Sequence, residues 1–328
     1  MVGFSIGSNL DNLKNRSNKM KFEKAVRRKA KLRLALSGPS GSGKTLSALL
    51  LAKGIGGRIA VIDTERDSAS LYAESVNIGN GRKIDTPEFD SLNLSAPYSP
   101  ERYIDAIKAA ADAGYDVLII DSITHEWSGV GGCLELVDDI AKARFRGNSW
   151  SAWNEVTPRH RAFVDAILQS PIHVIVTMRS KTETAQQENQ NGKKTVVKLG
   201  MKAEQRDGFE YEMSAVLDLT HEGHFATATK DRTGLFMGQD PIVITDQTGV
   251  RLLAWLEHGV EEPKTGMKAE DVDKHIKSIA ESADIEALNV AANVALEAAT
   301  DVKDREAYKR FMACAKDCKA TLEQAKAA

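Results

Sequence analysis

Residues 38–45 read Gly38-Pro39-Ser40-Gly41-Ser42-Gly43-Lys44-Thr45 and complete the pattern G-x-x-x-x-G-K-[ST]. An apolar run, Leu32 to Ser37, leads into them, and a helix-forming run, Leu46 to Lys53, leads away. A strand, a glycine turn and a helix N-terminus in that order converge backbone N–H groups and the positive end of a helix dipole on one point. Such a point is an anion site. The spacing predicts a phosphate-binding loop for a nucleoside triphosphate. Lys44 is expected to reach the outer phosphates and the Thr45 hydroxyl to ligate Mg²⁺.

The pattern around the loop fixes the fold class. Ile59 to Ile62, Leu92 to Leu94, Val117 to Ile120, Ile172 to Val176 and Ala215 to Leu217 are short apolar runs of the kind that form parallel strands buried on both faces. Helical segments lie between them. Ser99-Pro100-Glu101 opens one that runs to about Ala113, Trp150 to Leu168 forms a second and Thr245 to Leu256 a third. Strands alternating with helices predict an α/β domain with a mainly parallel central sheet covered on both faces, its ligand at the carboxyl ends of the strands.

Residues 1–30 are polar and basic, and are expected to be a flexible segment or an arm for nucleic acid or a neighbouring subunit. The α/β core is expected over 31–260 and a linker over 261–266, around Pro263 and Gly266. From 267 to 328 the composition turns to Ala, Lys, Glu and Asp, with Ile285, Leu288, Ala292 and Leu296 at helical spacing. A small helical appendage follows from that. Lys and Arg number 44 against 46 Asp and Glu, so nucleic-acid affinity has to come from local patches. No apolar stretch approaches a membrane span and no secretory apolar core is evident, which predicts a cytoplasmic protein. Cys133 stands apart in the sequence, and Cys314 and Cys318 sit four apart without nearby histidines; all three are expected to be reduced and metal-free.

Two strand-end acids complete the expected chemistry. Asp116 to Asp121 is an apolar strand closed by a carboxylate, which suits Asp121 to a Mg²⁺ site. Ser122 follows, so the group that activates water is sought elsewhere. Glu65, just beyond the end of the strand that begins at Ile59, is the first candidate and Glu126 the second. Lys230 and Arg232 flank Asp231 at the tip of an extended segment, where two cations suit phosphate charge across a subunit boundary. Residues 179–206 read as the longest region without structure, with a mobile hairpin around Asn191-Gly192 as the alternative. Its Lys181, Lys193, Lys194, Lys198 and Lys202 can track a nucleic-acid backbone, although it offers no aromatic residue before Phe209. Trp150, Trp153 and Phe163 are expected to pack.

With the phosphate loop, Asp63-x-Glu65, Asp121-Ser122 and Lys230-x-Arg232 in this order, the chain resembles the RecA-like ATPases. It is more closely similar to the phage-encoded AAA-family nucleotide-binding proteins, a short RecA-core group that includes single-strand annealing recombinases. That likeness is carried by Asp121 to Gly132, Gly147 to Arg159, Val176 to Glu183, Gln205 to Glu212 and Thr229 to Gly234. The resemblance implies a RecA-type core using ATP and Mg²⁺, assembly into rings or filaments, and action on single-stranded DNA in phage recombination or replication, alongside phage single-strand-binding or replication proteins. It implies that Glu65 is the water-activating residue, that Lys230 and Arg232 reach a neighbour's ATP, that Thr177 and Arg179 sense the γ-phosphate, and that the loop after them contacts DNA. The chain departs from RecA at the strand end that carries Gln there, where Thr177-Met178 stand, and in its C-terminal helices.

Overall fold

The computed structural model describes residues 24–77, 83–188, 194–260, 267, 269–302 and 304–327. They form two compact units, residues 1–260 and 261–328. In the first, the chain runs β1 (Arg33–Gly38), α1 (Lys44–Ile55), β2 (Ile59–Asp63), a 3₁₀ turn (Ser68–Tyr72), β3 (Ser75–Asn77), β4 (Lys83–Asp85), β5 (Asp90–Asn93), α2 (Pro100–Asp112), β6 (Val117–Asp121), α3 (Thr124–Ser128), α4 (Cys133–Arg144) and α5 (Ser149–Gln169). It continues through β7 (His173–Glu188), β8 (Lys194–Ala203), α6 (Phe209–Glu212), β9 (Ala215–Leu219), β10 (Phe225–Asp231), β11 (Ile242–Val243) and α7 (Asp246–Glu257).

The main sheet has the order β11-β10-β9-β1-β7-β6-β2-β5, with β8 pairing β7 outside that path. The strands from β9 to β5 are parallel, and β10 and β11 add an antiparallel edge. Side chains alternate between two cores with the period of two that a strand imposes. Leu34, Leu36, Val61, Val117, Ile119 and Ile175 face α1 and α7, whose Leu49 and Leu252 join the same cluster. Ala35, Ile62, Leu118, Ile120, Val174 and Val176 face α2 and α5, meeting Tyr103, Ile107, Phe163 and Ile167. Apolar residues at successive positions are thus buried on opposite faces, as the short continuous runs require. Pro100 begins α2 at its first turn, where a missing N–H costs nothing, although the Ser99 side chain makes no cap.

Two expectations are corrected here. Residues 179–206 are not one unstructured region but follow the hairpin alternative, with Asn191-Gly192 itself outside the described residues. β7 leaves the sheet after Arg179 and continues as one arm of an antiparallel hairpin, from Ser180 paired with Ala203 to Glu188 paired with Lys194. The arm projects about 25–30 Å at the rise of an extended chain. Backbone pairing builds it, so no apolar alternation is needed. The segment Arg27–Ala30, taken with the flexible leader, is tied to the end of α7: the Lys29 N–H donates to the Val260 carbonyl, the Ala30 N–H to that of Leu256, and the Arg27 guanidinium lies 4.7 Å over the Trp255 ring. Residues 1–23 and the expected linker 261–266 lie outside the described residues.

Among the described residues the second unit has three helices, α8 (Ala269–Ala280), α9 (Ile285–Asp301) and α10 (Arg305–Ala327). Ile279, Leu288, Ala295, Ala299 and Phe311 form its core, and the Asp284 carboxylate caps α9 through the Ala287 N–H at 2.8 Å. Among the described residues no helix is long and apolar enough to cross a membrane.

Candidate nucleotide-binding site

The glycine loop leaves β1 at Gly38 and enters α1 at Lys44. A Cβ on Gly38 would lie 2.8 Å from the Leu219 carbonyl oxygen, and Gly43 has φ +86°, so the turn needs glycine at both positions. The first N–H groups of α1 have no intrahelical acceptor and point toward the anion site. Ser40, Gly41, Gly43, Lys44, Thr45, Glu65, Asp121 and Arg179 line a cleft of about 360 Å³, together with Leu71 and Tyr72 from the 3₁₀ turn. Lys44 is folded onto the loop, its ammonium donating to the carbonyls of Gly38 (2.9 Å) and Pro39 (2.8 Å). Burial lowers its proton affinity, against the opposing pull of Asp121 and Glu65. Ser42 lies beneath the loop, fully buried, and its carbonyl meets His224 Nδ1 at 3.1 Å.

Asp121 ends β6 beside Asp63 of β2. Its carboxylate is 2 % exposed and accepts two hydroxyls, from Thr45 (2.5 Å) and Thr177 (2.5 Å). Burial raises its pKa, and the two hydroxyl donors only partly offset that. Thr45 and Asp121 are therefore a pair of hard oxygen donors already in contact at the foot of the cleft, which fits the oxygen preference of Mg²⁺. With triphosphate present, these two residues would hold the ion, which supplies positive charge against the outer phosphates.

Glu65 stands on a loop built by Asp63. The fully buried Asp63 carboxylate accepts the Glu65 N–H at 2.6 Å and the Ala69 N–H at 2.7 Å. Its fixed turn presents Glu65 to the cleft, where Arg179 Nε (3.0 Å) and Nη2 (2.8 Å) both donate to one of its oxygens. A carboxylate that could orient water and a guanidinium that could meet phosphate are thus paired to each other. Glu126 does not share this cleft. It is 0 % exposed and accepts from Cys133 Sγ (3.0 Å), His160 Nδ1 (3.1 Å) and Gln205 Nε2 (3.4 Å), which removes it as a base for attack on phosphate. Cys133, isolated in sequence, is part of this buried cluster, and burial pushes its thiol pKa far up.

The other expected residues fall in separate places. Thr177 is buried and does not line the cleft, so in this structure it positions Asp121 rather than facing a phosphate. Lys230 donates to the Glu210 carbonyl (2.9 Å) and to that of Tyr211, and Arg232 donates to the Tyr211 carbonyl (2.9 Å). Between them Asp231 pairs with Ala215, which pairs with Leu34. That register lies about 13 Å back along β1 from Gly38 at the usual rise per residue. The two cations thus sit toward the opposite end of the sheet from their own phosphate loop. Lys181 and Lys202 stand at the base of the hairpin, within 3.7 Å of Glu204 and 2.8 Å of Asp207 respectively. Lys194 and Lys198 are on β8 with their side chains outside the described residues, and Lys193 lies outside them altogether.

Sequence reasoning missed the residues that brace the site. The Thr64 hydroxyl hydrogen-bonds His125 Nδ1 at 2.7 Å, and the His125 ring stacks on Tyr98 at 4.9 Å. His224 folds over the phosphate loop from the β9–β10 turn. None of these carries a local signature, because each partner is brought from a different strand end. No curated protein shows significant similarity to the chain. A family model described as an AAA domain matches residues 30–249, from the strand before the phosphate loop into α7. The chain belongs to this AAA-domain family and is an ATP-binding P-loop NTPase.

Proposed function

We propose that the protein is a Mg²⁺-dependent ATPase of RecA-like type that acts on single-stranded DNA, promoting annealing or strand exchange in phage recombination or replication. The reading rests chiefly on the course of β7. One strand carries Thr177, bonded to Asp121, then Arg179, bonded to Glu65, and then Lys181 at the root of the projecting hairpin. A change at the γ-phosphate that moved Arg179 would act on the hairpin through two residues of the same strand. A basic arm joined in this way to a nucleotide cleft suits a DNA contact whose affinity follows the nucleotide state.

In this account Glu65 orients the attacking water, Lys44 and Arg179 neutralise charge on the transferred phosphoryl group, and Lys230 and Arg232 serve the cleft of a second copy in a ring or filament. Their distance from their own phosphate loop supports a role between subunits. Annealing of complementary DNA strands with ATP, alongside unwinding of a forked duplex, tests the assignment. Annealing without unwinding is the expected result. Unwinding would select a translocase, and neither activity would leave a nucleotide-switched loading factor for replication proteins.

A further inference from the structure

A second and larger groove, of about 1000 Å³, lies between α5 and the base of the hairpin. Its α5 wall is a single helical stripe, Trp150, Trp153, Asn154, Thr157, Pro158 and Arg161, spaced by three and four residues. The opposite stripe of α5, with Ala152, Val156, Phe163 and Ile167, is in the core. Trp150, expected to pack, is instead 84 % exposed. Trp153 is stacked on Trp127 with centroids 5.6 Å apart and planes at 25°. Arg206 lies 5.4 Å over the Trp153 ring and donates to the Thr157 hydroxyl at 3.3 Å. Pro158 sits inside the helix, so the Asn154 carbonyl loses its usual N–H donor and is left as an acceptor along the same stripe.

The facing wall carries Lys181 and Lys202, the hairpin lysines already described. Counting both walls, Arg161, Lys181, Lys202 and Arg206 stand against the carboxylates of Glu204 and Asp207, an excess of two positive charges. The exposed Trp150 indole beside that excess, with polar acceptors along the same stripe, matches a ligand that has flat apolar rings and a phosphate backbone. A protein partner would not need the cations, and a duplex would keep its bases stacked away from Trp150.

We infer that this groove is a base-stacking site for single-stranded nucleic acid, with Trp150 as the stacking platform, Trp153 and Arg206 as its fixed floor, and the hairpin lysines holding the backbone. The inference rests on the DNA reading above and adds to it the aromatic surface that the hairpin itself lacks. It also assigns the recognition to bases generally, since every base has a face to stack.

The test compares a 20-nucleotide oligothymidylate with an abasic oligonucleotide of equal length, each titrated against wild-type protein and Trp150→Ala, with ATP binding measured in parallel to confirm the fold. Wild type should bind the oligothymidylate at least about fivefold more tightly than the abasic strand, and Trp150→Ala should abolish that preference while leaving abasic binding and ATP binding intact. Trp150→Phe should restore most of it. Equal wild-type affinity for the two strands, or a preference unchanged in Trp150→Ala, would overturn the stacking site while leaving backbone binding by the hairpin in place. Binding of neither strand by wild type would overturn the DNA reading and the groove together.

Discussion

Replacing Thr177 by Val tests how the buried carboxylate of the site is held. The hydroxyl is fully buried and is one of two donors to Asp121, whose own exposure is 2 %. Valine keeps the shape and removes the donor. A hydrogen bond to a charged group is worth about 1.5–3 kcal/mol, which for a domain of this size lowers Tm by roughly 3–12 °C where the carboxylate is ionised. The sign with pH is specific. Burial raises the folded pKa of Asp121 above its unfolded value, so the fold favours the protonated acid. The stability this group contributes is therefore present at low pH and lost as pH rises through the folded value. Removing Thr177 raises that pKa further, so the deficit of the variant should be small in acid and widest near neutrality. Chemical denaturation of wild type and Thr177→Val from pH 4.5 to 8, without nucleotide or Mg²⁺, measures it. A deficit that is constant with pH, or that grows toward acid, would refute the reasoning.

Other expectations follow from the same geometry. Glu65→Gln should keep ATP binding and slow turnover by about 10²–10⁴-fold, while Arg179→Ala should weaken turnover with little effect on Tm, because its ion pair is partly exposed; single-turnover hydrolysis and calorimetry separate the two. His173 is buried with its Nδ1 accepting the Leu32 N–H, and burial lowers its pKa to about 4. Its contribution to stability, on the order of 3 kcal/mol, should be complete above pH 6.5 and lost as pH falls toward 4, a slope that His173→Gln should remove in acid denaturation. Phe311→Ala should destabilise the C-terminal helices by about 3–5 kcal/mol, visible as loss of helical circular dichroism on heating, without altering ATP binding by the first unit.

The parts of this structure that could be seen in the sequence are those where local pattern and tertiary role coincide. β1, β2, β6 and β9 are buried on both faces over most of their length, so each carries an unbroken apolar run, Leu34 to Leu36, Ile59 to Ile62, Val117 to Ile120 and Ala215 to Leu217. The phosphate loop and Asp121 lie at strand ends for the same reason that their chemistry requires it. α4 gave a weak signal because only Cys133, Val137 and Ala141 are buried, a stripe too narrow to stand out among its charges. Only the Asn191-Gly192 turn pointed to the β7–β8 hairpin, because backbone pairing rather than a clean apolar alternation defines its two strands. The pairing of Glu65 with Arg179 joins residues 114 positions apart. Likewise Glu126, Cys133 and His160 come from three different helices, so no spacing within any one of them could announce their meeting.

The central claim is that nucleotide turnover at Lys44, Thr45, Asp121 and Glu65 is coupled through β7 to a DNA-binding surface and completed by a second copy of the chain. Steady-state ATP hydrolysis with Mg²⁺, followed across protein concentration with and without single-stranded DNA, addresses it directly. The account predicts a rate per protomer that rises with protein concentration and rises again on adding DNA. A rate per protomer unaffected by both dilution and DNA would contradict it.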